Sequence, residues 1–379
     1  MTETLHRIAD MPNSAAENRF AIVFGYRLRH ICPMNVRRPF RLVVVALGAA
    51  FLGLAGCVHV PVPPPVPPAA PQPIPVPHPL PPVVQPLPPP PAEPSVPVDV
   101  AFAIQVRLDR EHFSTGGIDG RWGSKSEKAL AAWQKKNGKP ATGQIDEAVM
   151  AALGDTNGVM TTYAVAAADH AALTPYPSSW LERSLQERMG FASIEEMLAE
   201  KFHVYRATLR RLNPDAAWPD PPAGTVVAVP LIKAKALPPL SKIEIRLEQR
   251  TLRAYGINGQ LVAHFPCSIA ADKAKRPAGE TLRVVVWAEN PEYTFDPALF
   301  AEDPEAVAIG KKLRIPPGPN NPVGLAWIGL DRPGYGIHGS PSPEDISKTE
   351  SHGCFRLTNW DALQLVRAMR KDFPVVVLP

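Results

Sequence analysis

The chain has 379 residues, room for two or three domains, and 47 of them are proline, far above the usual share of about 5%. Its formal charge of +4 arises in the first 56 residues, where seven Arg stand against Glu3, Asp10 and Glu17. The remaining 33 basic and 33 acidic residues balance, so nothing favours nucleic acid as a partner. The four cysteines, Cys32, Cys57, Cys267 and Cys354, contain no CxxC pair, which excludes a disulfide framework or a zinc ribbon on spacing.

Arg37, Arg38 and Arg41 precede an apolar run from Leu42 to Ala55, followed by Gly56 and Cys57. A run of about 14 apolar residues is too short to span a bilayer and suits the apolar core of a signal peptide. The tetrad Leu54-Ala55-Gly56-Cys57 resembles the lipobox of bacterial lipoproteins. The resemblance implies that Cys57 is lipidated and becomes the first residue, that 1–56 are removed, and that Met34 is the true start. Val58 stands where an Asp would retain such a protein at the inner membrane, so the expected location is the periplasm, anchored to the outer membrane. From Pro61 to Pro97, 20 of 37 residues are proline. Such a stretch adopts extended polyproline II and, at about 3.1 Å per residue, reaches on the order of 100 Å. Residues 57–100 are thus read as lipid anchor and spacer.

Residues 101–155 form a small helical unit, with Ser124 and Glu127 spaced as a capping box ahead of Ala129, Leu130 and Trp133 at helical intervals. The ordered set Asp119-Gly120-Arg121-Trp122-Gly123, Ala129-Leu130, Trp133-Gln134, Gly138 and Thr142-Gly143-Gln144-Ile145-Asp146 resembles the three-helix peptidoglycan-binding domain. Residues 180–231 read as a helix over Phe191–Phe202, a second helical run ending at Asn213-Pro214, and a strand over Val226–Val229. This resembles the second half of a LysM module whose first strand is missing, a degenerate segment serving either as spacer or as glycan binder.

Residues 240–379 change character. Ile243, Ile245 and Leu247 alternate, Asn258-Gly259 marks a hairpin, and Val284–Trp287 and Val375–Val377 are further strands. Helical pattern is confined to Trp360–Arg370, so a mostly-β domain follows and the whole chain is a multidomain α+β protein.

The chemistry is concentrated in Tyr335-Gly336-Ile337-His338-Gly339 and Ser351-His352-Gly353-Cys354-Phe355-Arg356-Leu357. Order and spacing resemble the signature of YkuD-type L,D-transpeptidases, as do Arg276-Pro277-Ala278-Gly279, Asn290-Pro291-Glu292-Tyr293 and Pro316 through Gly324. A thiol near pKa 8.5 needs a base within hydrogen-bond reach to act as nucleophile. The resemblance makes Cys354 the nucleophile and His338 that base, with His352 mainly an orienting residue. Ser351 or a carbonyl near Gly339 would orient His338, and amides around Gly353 and Cys354 would hold the oxyanion. Arg356 either braces the loop or contacts a substrate carboxylate. Cys267 and His264 read as structural.

The implied reaction is acyl transfer on peptidoglycan stem peptides. Cys354 attacks the third stem residue and expels the terminal D-alanine. An amine of a second stem, giving a 3-3 cross-link, or of a lipoprotein then takes the thioester. Partners would be stem peptides, glycan strands and, through the anchor, a membrane; no metal or organic cofactor is implied. A metal site of His338, His352 and Cys354 fits by ligand type but lacks paired spacing. The other rival, a non-enzymatic peptidoglycan-binding lipoprotein with an inactive catalytic domain, sits poorly with the intact motif.

Overall fold

The computed structural model describes residues 98–379 apart from Ala234, Thr349, Glu350 and His352. The signal segment 1–56, Cys32, the anchor at Cys57, the proline run and His352 therefore lie outside the described residues.

Three helices open the described chain: α1 (Val98–Arg110), α2 (Ser124–Lys136) and α3 (Glu147–Leu153). Helix α1 is apolar on two sides and serves two cores. Ile104 and Leu108 pack with Ala129, Leu130, Trp133, Val149 and Leu153 of the helical unit. Phe102, Ala103 and Val106 pack instead with Ile194, Leu198, Val227 and Val229 of the next segment. The capping box expected at Ser124 is not formed: the extended residue before the helix is Gly123, with no side-chain cap. Ser124 is already the first helical residue, which puts Glu127 one position beyond the point from which it could reach back. Asp146 does cap α3, accepting from the Val149 amide.

The second segment comprises β1 (Met160–Ala164), α4 (Ala167–Ala171), α5 (Trp180–Ser184), α6 (Ile194–Lys201), α7 (Arg206–Leu212) and β2 (Val226–Pro230). A strand not expected from the sequence, β1, pairs antiparallel with β2, from Met160↔Pro230 to Ala164↔Val226. It lies upstream of 180–231, and its shallow alternation of exposed and half-buried residues gives a weak apolar signal. Asn213 joins the end of α7 to β2, accepting from the Ala228 amide and donating to the Ala228 and Leu209 carbonyls.

The last segment contains β3 (Leu240–Arg246), β4 (Thr251–Gly256), β5 (Leu261–Pro266), β6 (Thr281–Glu289), β7 (Tyr293–Phe295), α8 (Pro304–Ile309), β8 (Leu313–Ile315), β9 (Ala326–Leu330), β10 (Gly336–His338), β11 (Phe355–Arg356), α9 (Asn359–Val366) and β12 (Pro374–Leu378). The strands form an eight-stranded sheet in the order β11-β10-β9-β6-β12-β3-β4-β5, with β7 and β8 as a separate pair. Ser268, just beyond β5, exchanges two backbone hydrogen bonds with Arg356 of β11, at 2.9 and 3.0 Å. The two edge strands therefore meet and the sheet curls onto itself, around a core that includes Phe265, Ile328, Ile337, Phe355, Leu365 and Val375.

The Asn258-Gly259 hairpin forms as expected between β4 and β5, with Gly259 at φ +77. Helix is not confined to Trp360–Arg370, since α8 adds a turn and a half. Pro304 at its start and left-handed Gly310 at its end define it, but six residues are too few to show a period.

Phe265 is fully buried in the sheet core, whereas Ile257 is 76% exposed at the hairpin. Phe265→Ala should lower unfolding free energy by about 3–5 kcal/mol, and Ile257→Ala should change it by less than about 0.5 kcal/mol. Urea unfolding midpoints at unchanged slope check both.

Candidate active site

The site is built where β10 and β11 run side by side. They pair in parallel, Ile337 against Phe355 and His338 against Arg356. Side chains alternate along a strand, so the burial of Ile337 and Phe355 decides which residues face the other way. His338 and Arg356 take that opposite face. Cys354, one residue before β11, returns to it two positions from Arg356. The structure thus brings His338, Cys354 and Arg356 to one face.

His338 is 5% exposed. Its Nδ1 lies 2.6 Å from the carbonyl oxygen of Gly339, which can only accept, so Nδ1 carries the proton and Nε2 keeps a free lone pair. Burial, and then the nearby Arg356 cation, lower the imidazole pKa to about 4, so the ring is neutral at neutral pH. The Trp327 ring stacks against it at 5.8 Å between centroids. A side chain at Gly336 would run into that indole, so glycine is needed where the strand passes Trp327.

Cys354 is half-buried, with Sγ 3.5 Å from the Gly334 carbonyl oxygen. Burial pushes its thiol above the ordinary value, while a Gly336 backbone hydrogen bond and the Arg356 charge pull it part of the way back. The resting pair is therefore a neutral thiol and a neutral imidazole, not a preformed ion pair.

Ser351 does not orient His338; the Gly339 carbonyl does. The Ser351 hydroxyl donates to the Cys354 carbonyl and accepts from the Gly353 amide at 3.3 Å. It braces the turn that presents the thiol. The Gly353 amide is thus engaged by Ser351 at rest. The Arg356 guanidinium makes no hydrogen bond or ion pair among the described residues. Cys267 is fully buried and its thiol pKa is raised by burial, and His264 is buried and held neutral, with a pKa near 3. Both behave as structural residues.

Two residues that frame the site were given no role on sequence grounds. Asn359, fully buried at the start of α9, accepts from the Leu325 amide and donates to the Pro319 carbonyl and to Glu200 of α6. Its Oδ1 lies over Gly324 and Gly339, where any Cβ would overlap it. It thereby holds the backbone that presents the acceptor for His338. The only local signal was an amide at a helix start. Tyr293 of β7 has its phenol raised to about 12 by burial and by the proximity of Cys354. Trp180 of α5 stacks on Phe295 of the same strand, 4.3 Å between centroids.

Comparison with known proteins matches two segments of the chain to family models. The model described as the L,D-transpeptidase catalytic domain matches residues 241–377, and one described as "Putative peptidoglycan binding domain" matches residues 101–153. The chain thus carries a YkuD-type L,D-transpeptidase catalytic domain behind a peptidoglycan-binding domain. A Bacillus licheniformis protein named "Putative L,D-transpeptidase YkuD" is 27% identical over 184 residues, covering 48% of this chain and 93% of that one. A Bacillus subtilis protein named "Putative L,D-transpeptidase YqjB" is 36% identical over 85 residues, 21% of this chain and 46% of that one. Among solved structures, the L,D-transpeptidase of Xylanimonas cellulosilytica is 16% identical, covers 73% of this chain and 92% of its own, and superposes with a TM-score of 0.31, too low to bear on the fold.

Because the Cys354 pKa is raised, the thiolate fraction is small at neutral pH and grows as pH rises through and above 9. Iodoacetamide alkylation of Cys354, followed by peptide mass spectrometry, should accelerate continuously to pH 9 and beyond. A rate plateau below pH 8 would instead reveal a preformed thiolate–imidazolium pair.

Proposed function

We propose that this chain is a peptidoglycan L,D-transpeptidase acting through a Cys354 thioester. As Sγ bonds to the carbonyl carbon of the third stem residue, Nε2 of His338 takes the thiol proton. The resulting imidazolium, stabilised at Nδ1 by the Gly339 carbonyl, returns that proton to the departing D-alanine amine as the C–N bond breaks. An amine of a second stem, or of a lipoprotein, then attacks the thioester, loses its proton to Nε2, and leaves the thiol restored. The observation that carries this reading is the neutral, Nδ1-protonated His338 on the same face as Cys354. An imidazole in that state can act first as base and then as acid.

The same reading puts the protein at the outer membrane, facing the periplasm. Cys57 is lipidated there, 61–97 act as a spacer, and 101–155 tether the enzyme to wall strands. The folded segment between β1 and β2 is a LysM-like unit, consistent with the strand found at Met160–Ala164. Palmitate labelling of cells should mark the wild type and be absent from Cys57→Ala.

Purified enzyme incubated with a tetrapeptide muropeptide should release D-alanine and yield a 3-3 linked dimer by mass spectrometry. Cys354→Ala should abolish both products, and His338→Ala should lower kcat/KM by about 10²–10⁴-fold. Cys267→Ala should leave turnover close to wild type. Turnover surviving in Cys354→Ala would sink the mechanism.

A further inference from the structure

A cavity of about 190 Å³, lined by Arg356 two residues after Cys354, is given no role by the acyl-transfer steps. Its polar wall is Arg356, Ser340, Ser342 and Asp345, and Pro322 and Ile346 add an apolar wall. Arg356 is held from both sides by backbone, paired with His338 in β10 and doubly hydrogen-bonded to Ser268. Its main chain is therefore rigid while its guanidinium, half-buried and always charged, has no partner of its own among the described residues. A partly buried cation without a partner is costly and would favour an anionic ligand. The planar guanidinium fork matches a carboxylate. Ser340 Oγ accepts from the Ser342 amide, which leaves its hydroxyl proton available to a ligand oxygen.

Distance selects which carboxylate. Cys354 and Arg356 are two residues apart along an extended chain, about 7 Å. In a donor stem, the terminal carboxylate lies one residue length, about 3.8 Å, beyond the carbonyl under attack, and the arginine side chain spans the remainder. The small apolar wall suits a methyl side chain.

We propose that Arg356, with Ser340 and Ser342, forms the subsite for the C-terminal carboxylate of the residue that is expelled, so that the enzyme selects donors ending in a free carboxylate. This rests on the transpeptidase reading and names the group by which that site recognises its donor. Arg356 is in this view a specificity residue; it takes no part in the proton transfers.

The test measures kcat/KM for release of the terminal residue by the full-length wild type and by Arg356→Gln. Three donors are compared: the tetrapeptide, its C-terminal carboxamide, and a tetrapeptide amidated instead on the side-chain carboxylate of the diamino acid. The wild type should prefer the free acid over the carboxamide by about 10–100-fold, the range for a charge-assisted hydrogen bond. In Arg356→Gln the preference should collapse to near unity, and Arg356→Lys should recover part of it. The change in His338 basicity caused by removing the cation acts on all donors alike, so the ratio isolates recognition. Equal turnover of acid and carboxamide by the wild type would overturn the subsite without any variant. So would a preference that survives in Arg356→Gln, or one that is lost only for the diamino-acid amide. Absence of turnover with every donor would overturn the transpeptidase reading itself.

Discussion

Everything at the site depends on how a two-residue strand is held. Strand β11 is too short to be stable alone, yet it carries Arg356 and follows directly from Cys354. It is fixed by a parallel pairing to β10 on one side and by reciprocal backbone bonds to Ser268 on the other. These contacts close the sheet and set the register, and the register decides the chemistry. A slip of one residue would turn Phe355 outward and bury Cys354 and Arg356 in its place. Buried Ile337 and Phe355 make that slip costly, so the apolar core is what keeps thiol, imidazole and guanidinium on a common face.

The electrostatics follow from the same enclosure. Burial removes water from His338 and Cys354 and disfavours the charged form of each, which lowers the imidazole pKa and raises that of the thiol. Arg356 contributes a fixed positive field that also opposes an imidazolium. A protonated imidazole is therefore favoured only when negative charge develops beside it, as the proposed attack of sulfur on a carbonyl would require. The Gly339 carbonyl supports that transient state and fixes the tautomer at rest.

The segments are not beads on a string. Tyr255 and Leu261 of the β4–β5 hairpin pack into the core of the helical unit, and the Ser114 amide donates to the His264 carbonyl. Between the helical, second and catalytic segments lies a buried polar network. His203 pairs with Asp109 at 3.1 Å and stacks on Trp360, while Ser114 donates to Asp361. Burial raises Glu200 to about 8 and Asp361 to about 7. Glu200 in turn contacts Asn359, the residue that holds the Gly339 backbone. A side chain of the second segment is thus two contacts from the acceptor that orients the His338 imidazole.

What the amino-acid sequence determined on its own was local. The nucleophile motif, the preceding His-Gly, the Asn-Gly hairpin and the Asn-Pro helix end are written in consecutive residues, because turn chemistry and short-range spacing need no distant partner. What only the tertiary structure decided was non-local. β1 is recognisable as a strand through β2, more than sixty residues away, and Asn359 through Glu200, Pro319 and Leu325, which no spacing connects. The choice between Ser351 and the Gly339 carbonyl as the partner of His338 turned on backbone direction. The protonation states of His338 and Cys354 turned on burial, which exists only once the closed sheet has excluded water from around them.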